Sequence, residues 1–272
     1  MRDIVIIRGG GDIATGCVQA LRRAGFGVIV LETGKPTAIR RGVSLSDAVY
    51  RGSVTVEDMT AIFCERKDIE RILAEGNIPV LTDPRAETVS ALKPFALVDA
   101  ILAKRNTGTY KGMARVTVGL GPGFAAPDDV DIVIETMRGH DLGRLITHGA
   151  AMANTGIPTQ VDGAGAERVI YAPAAGALTL MREIGDTVGR GQILARVGGA
   201  DIPAPISGVL RGILPDGFEV RAGLKLADID PRGDRESCFT ISDKARCIGG
   251  AVLTAVMSLG RRHLFDNHTL KC

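Results

Sequence analysis

Ile4-Val5-Ile6-Ile7-Arg8-Gly9-Gly10-Gly11-Asp12 opens the most informative stretch of the chain, which runs on to Glu32. Ile4 to Ile7 is short, β-branched and apolar on both faces, the pattern of a strand buried in a parallel sheet. Ala14, Cys17, Val18 and Leu21 then recur at helical spacing, and Gly25 is placed to stop that helix. Val28 to Leu31 reads as a second buried strand, completing a βαβ unit. Gly9-x-Gly11-x-x-Ala14 fits the dinucleotide fingerprint, in which small residues admit a tight turn and close backbone approach. The amides of Gly9, Gly10, Gly11 and Asp12, at the positive end of the helix, are candidates to hold a phosphate. Glu32, followed by Thr33, stands where an acidic residue meets a ribose hydroxyl. Asp12 reads mainly as an acid favourable to the helix dipole. A tight turn that only packs is the competing reading.

Beyond Glu32, Lys35, Arg40 and Arg41 are candidate anion ligands or a basic surface loop. Strands are expected near Val54–Val56 and Ile78–Leu81, with an amphipathic helix from Glu65 to Glu75 between them. This alternation predicts a parallel α/β sheet. Val116–Val118 and Ile132–Glu135 each lead into a loop punctuated by glycine. The second loop gathers Arg138, His140, Asp141 and Arg144. Arg138 and Arg144 are candidate anion clamps, and His140 is a candidate proton carrier. An ordinary turn with an Asp141–Arg144 surface pair is the plainer alternative. All three functional candidates are expected to share a cleft with the glycine loop, because both loops follow strands.

Residues 154–166 read as a linker. The next stretch repeats itself: Ala172-Pro173-x-x-Gly176-x-Leu178 returns as Ala204-Pro205-x-x-Gly208-x-Leu210. Gly185-x-x-Val188-x-x-Gly191-x-x-Leu194 returns as Gly217-x-x-Val220-x-x-Gly223-x-x-Leu226. The offset is constant, which marks a duplicated unit. The repeat resembles the biotinyl/lipoyl family of small sandwiches. The turn between its halves, Val197 to Pro203, lacks the lysine that family modifies, and Lys225 lies elsewhere. After Ser242-Asp243-Lys244, Ala245 to Leu259 reads as a closing helix with a small-residue side.

The chain has 272 residues, 45% of them hydrophobic, and a formal net charge of +2. That balance argues for neither nucleic acid nor an acidic partner. No apolar run reaches membrane-spanning length, and Met1-Arg2-Asp3 does not read as a signal peptide. The expectation is a cytoplasmic protein, with self-association left open. The five cysteines are scattered without CxxC spacing, and the four histidines form no HExxH pair, so no metal site is expected. Cys17, in the helix after the glycine loop, is the thiol best placed for activation by a helix dipole. Against that, it stands about a turn and a half in, on a side that reads as facing the sheet.

As a whole the chain resembles the YqeB family of selenium-dependent molybdenum hydroxylase system proteins. Arg8-Gly9-Gly10-Gly11-Asp12, Pro36 to Arg41, Gly119 to Phe124 and Glu135 to Arg144 carry the resemblance. The first half also resembles the Rossmann part of XdhC-type accessory proteins. These resemblances imply an accessory role in maturing molybdenum hydroxylases, with the hydroxylase or its maturation machinery as partner. The implied ligand is a dinucleotide or a molybdopterin-type cofactor. Two further functions stay open: an NAD(P)-dependent oxidoreductase, and a non-catalytic adaptor that docks through the repeat. The expected architecture is a Rossmann-like parallel-sheet domain over residues 1–156, a biotinyl/lipoyl-like barrel-sandwich over 168–230, and a helix over 239–262 packed on the body.

Overall fold

The computed structural model describes residues 4–156 and 162–266. Part of the expected linker, residues 157–161, lies outside the described residues, as do Met1–Asp3, His268 and Cys272. The chain divides into two compact units that are not contiguous blocks: residues 1–36, 45–154 and 241–272 form one, and 37–44 with 155–240 form the other.

The first unit begins with β1 (Ile4–Arg8), α1 (Asp12–Arg23) and β2 (Gly27–Glu32). It continues through α2 (Ala48–Arg51), β3 (Ser53–Val56), β4 (Met59–Phe63), α3 (Ile69–Ala74), β5 (Ile78–Thr82), α4 (Glu87–Leu92), β6 (Ala96–Asp99) and β7 (Val116–Leu120). Short strands follow: β8 (Ala125–Ala126), β9 (Ile132–Ile134), β10 (Leu145–Ile146) and β11 (Gly149–Ala150). The unit closes with α5 (Asp243–Asp266). Nine strands form one sheet in the order β10-β9-β7-β6-β1-β2-β5-β4-β3. The inner seven run parallel, while β10 and β3 are antiparallel to their neighbours.

From β1 to β2 the chain steps one way across the sheet, and from β4 to β5 and β5 to β6 it steps the other way. Right-handed crossovers therefore put α1 on one face and α3 and α4 on the opposite face. On the α3/α4 side, Ile6, Ile29, Leu81 and Leu97 pack against Ile69 and Val89. α1 packs closely along α5. A Cβ on Gly16 would lie 2.3 Å from the Ala245 carbonyl oxygen, and one on Gly249 2.3 Å from the Gly16 carbonyl oxygen. Backbone thus meets backbone, which is why the small-residue side of α5 is required.

In the second unit, two four-stranded antiparallel sheets are built from β12 (Val169–Tyr171), β13 (Gly176–Leu180), β14 (Thr187–Val188), β15 (Ile193–Val197), β16 (Ala200–Pro203), β17 (Gly208–Ile213), β18 (Glu219–Val220) and β19 (Lys225–Asp230). Their orders are β12-β19-β17-β14 and β16-β15-β13-β18. The starts of β13, β14 and β15 recur 32 residues later as β17, β18 and β19. Each repeat gives one strand to the other's sheet: β14 pairs with β17, and β18 with β13. Leu178, Leu194 and Val197 of one sheet and Ile170, Leu210 and Ile229 of the other share one apolar cluster.

The expected fold is therefore corrected. The structure is α/β, but the Rossmann-like parallel domain followed by a biotinyl/lipoyl-like barrel-sandwich does not describe it. A large mixed sheet takes the place of the parallel one, and separate antiparallel sheets follow, with the last helix in the first unit. The edge strands explain the difference. β3 joins β4 through the two residues Glu57 and Asp58, and β10 follows β9 after residues 135–144, both shorter than the crossover that parallel neighbours need.

Candidate functional site

β1, β2, β6, β7 and β9 all point the same way, so the loops after them emerge at one edge of the sheet. β1 and β9 are three places apart in that sheet, about 14 Å at the usual strand spacing. The glycine loop and the loop after Ile134 therefore share an edge.

At β1, the Gly9 N–H donates to the Leu31 carbonyl at 2.8 Å, and Gly9 adopts a φ of +89° that favours glycine. A Cβ on Gly10 would come within 2.9 Å of the Ser46 nitrogen. Both glycines are thus needed by the protein's own packing. Glu32 turns back onto this loop. Its Oε2 accepts the Gly10 N–H and its Oε1 accepts the Thr33 N–H, each at 2.8 Å. Burial pushes its carboxyl above the ordinary value, against the two amide bonds that favour the charge. Each oxygen keeps a lone pair for a further donor.

Arg8, which the sequence reading left without a role, is buried and pairs with Asp99 at 3.2 Å. It also donates to Thr109 Oγ1 and to the carbonyls of Pro84 and Thr107. This network pins the loop after β6 across the strand ends. A cavity of about 200 Å³ remains there, its wall including Gly9, Glu32, Thr33, Asp83 and Ile101.

At β9, the buried Glu135 accepts three backbone N–H groups, from Thr136, Met137 and Met152. This carboxylate holds the loop in shape. Arg138 makes a two-pronged pair with Asp243 at 2.7 and 2.8 Å. Arg144 pairs with Asp141 at 3.4 Å and lines a different cavity, of about 370 Å³, with Thr147 and His148. His140 is exposed and lines neither cavity. Of the three expected clamp and proton-carrier residues, only Arg138 is tied to the first turn of α5, through Asp243.

Beside the Arg138–Asp243 pair stands Lys244, which sequence reasoning missed. Lys244 lies half-buried in the first turn of α5. Burial lowers its pKa, and the Arg138 guanidinium lowers it further, while Asp12, Glu135 and Asp243 act in the opposite sense. One ammonium thus feels both the first turn of α1 and the loop after β9. No hydrogen bond or ion pair to another described residue holds it. The Ala/Gly side of α5 announced a close helix contact, but nothing in the sequence said that α1 was the partner.

Other candidates move elsewhere. Arg40 and Arg41 fold into the second unit, donating to the carbonyls of Ser237 and Ile213. Cys17 is fully buried, and burial pushes its thiol up to about 12. An activated thiol needs a shift in the opposite direction. Among the described residues no group of three His, Cys, Asp or Glu side chains could hold a metal. No helix among them is long and apolar enough to cross a membrane.

The cavity beside Glu32 bears on the implied cofactor. Sites for drug-sized ligands occupy about 300–1,000 Å³, so about 200 Å³ admits a ribose-sized group and not a whole dinucleotide. Glu32 already uses the Gly10 N–H, which leaves the first-turn amides of α1 to meet a phosphate. The fit covers the ribose and phosphate of a nucleotide and goes no further.

No family model matches the chain. Among solved structures, the product-bound ectoine utilization protein EutE (DoeB) from Ruegeria pomeroyi overlaps 84% of the chain and 85% of its own, at 10% identity and a TM-score of 0.26. An aspartoacylase family protein from Mesorhizobium loti overlaps 84% of each chain at 9% identity and a TM-score of 0.27. Overlaps this loose decide neither fold nor activity. In sequence, the chain is 48% identical over 257 residues to the uncharacterized protein YqeB of Escherichia coli (strain K12), taking in 94% of the chain and 48% of YqeB. The chain is thus a relative of YqeB along nearly all of its own length, and it spans about half the length of that protein.

Proposed function

We propose that the first unit binds a nucleotide-type phosphorylated ligand at the carboxyl edge of β1 and β2. The phosphate lies at Gly11 and the first turn of α1, Lys244 and Arg138 supply positive charge, and Glu32 and Thr33 face the ribose. The observation that carries this reading is Lys244: a half-buried ammonium, without a hydrogen-bonded partner among the described residues, beside a helix N-terminus. Asp12, Glu135 and Asp243 offset only part of the cost of burying that charge beside Arg138, and a bound anion would offset more. The resemblance to selenium-dependent molybdenum hydroxylase system proteins supports a finer version. In it the ligand is a nucleotide or the nucleotide half of a molybdopterin dinucleotide, and the chain is an accessory factor in maturing those enzymes. The oxidoreductase alternative has less support, because His140 is exposed and away from the cavity at Glu32.

Calorimetric titration of the full chain with nucleotides and pterin dinucleotides tests the reading. Wild type should bind at least one of them, and Gly11→Val should bind it at least tenfold more weakly. Wild type that binds none, or a Gly11→Val variant that binds equally well, contradicts the proposal.

A further inference from the structure

The connection from β6 to β7 is unusual. Parallel neighbours are ordinarily joined by a helix that covers the sheet, yet residues 100–115 contain none. The preceding crossover carries only the six residues of α4. A cavity of about 960 Å³ lies where a longer helix would stand, between α4 and the chain from Gly108 to Arg115. It belongs to the opposite end of the strands from the glycine loop, because Ile4, the first residue of β1, contributes to its lining.

The lining has two characters. Val89, Leu92, Phe95 and Met113 give it apolar walls. Arg85, Lys93 and Arg115 stand around it, all exposed, against the single acid Glu87. None of the three cations is held in an ion pair with another described residue. Arg115 instead lies over the Phe95 ring, 5.9 Å from its centroid. A hollow of mixed lining, with apolar side chains on its wall and unneutralised cations around it, complements a flat aromatic body carrying a negative group. The volume is at the upper end of the usual range for small-molecule sites, about 300–1,000 Å³.

We propose that this cavity is a second ligand site, for a planar organic anion bearing a carboxylate, sulfonate or phosphate, with Arg85, Lys93 and Arg115 selecting the charge. It is independent of the site at Glu32 and Lys244.

Fluorescence titration of the full chain tests this with two probes, the aromatic sulfonate 1-anilinonaphthalene-8-sulfonate and its neutral analogue N-phenyl-1-naphthylamine. Wild type should bind the sulfonate saturably at one site. The combined variant Arg85→Glu, Lys93→Glu, Arg115→Glu should bind it at least tenfold more weakly while changing the affinity for the neutral probe less than twofold. Lys93→Gln, a milder change that serves if the triple variant does not fold, should weaken sulfonate binding two- to fivefold. Gly11→Val should leave it unchanged. Absence of a saturable sulfonate site overturns the proposal. So does sulfonate binding that survives the charge reversals, or that is lost in Gly11→Val.

Discussion

Glu32 shows how far a single position could be read from sequence. Its place at the end of β2 was legible, because strand length and the glycine loop fix the count of residues. Its bond to the Gly10 N–H was not, since that depends on how β1 and β2 are staggered. Cys17 was legible in the same way: helical spacing placed it after the glycine loop on a side expected to face inward, while the packing of α5 on its helix, from more than two hundred residues later, was not legible. Cys17 faces the core, with its thiol pushed up to about 12. Cys64 is pushed up to about 11, mainly by burial. Cys247 is exposed, with Sγ 3.5 Å from the Leu142 carbonyl oxygen. Because the thiolate is the reactive form, iodoacetamide at pH 8 should label Cys247 well before Cys17 in the folded chain. Peptide mass spectrometry over a time course reads the order. Labelling of Cys17 at the rate of Cys247 would contradict its burial and return it to consideration as a working thiol.

At the scale of elements, the strands were the legible part. Apolar runs bounded by glycine and proline located β1, β2, β5, β7 and β9, because a strand buried on both faces has little freedom in composition. The antiparallel edges β3 and β10 were not legible as such, since direction is set by pairing and not by side-chain pattern. The helix α4 begins with a device the sequence shows only faintly. Asp83 accepts the N–H groups of Glu87 and Thr88 at 3.0 and 2.7 Å, satisfying first-turn amides. Burial raises the pKa of this carboxyl, but the bonds from Thr88 and Glu87 and the charge of Arg66 outweigh it, and the net shift is downward. A carboxylate with a lowered folded pKa stabilises the fold above its unfolded pKa, and that contribution is lost as pH falls through the folded value. Asp83→Ala should therefore cost about 0.5–2 kcal/mol at pH 7. The difference from wild type should shrink as the pH is taken below the ordinary carboxylate range, near 4. Urea unfolding at a series of pH values measures both. A difference that does not change with pH would show that the charge on Asp83 is not what holds α4.

Across the whole molecule, the internal repeat was visible because both copies kept the same turn residues, yet its consequence was not. A repeat states that two halves are alike; it does not state that each half lends a strand to the other's sheet, as β14 and β18 do. The interleaving of residues 37–44 with the second unit and of 241–272 with the first was equally hidden, because long-range contacts leave no local pattern. That same interleaving assembles the candidate site, bringing Lys244 to α1 and to Arg138 from the far end of the chain. The central claim is that this lysine awaits an anion. Reductive ¹³C-methylation of the full chain, with the Lys244 resonance assigned by its loss in Lys244→Met, allows its titration to be followed by NMR with and without inorganic pyrophosphate. The account predicts that Lys244 titrates below the ordinary lysine value in the free protein, and that pyrophosphate raises its pKa, because a bound anion favours the ammonium. A Lys244 that titrates like an exposed lysine, or one whose pKa pyrophosphate leaves unchanged, would contradict it.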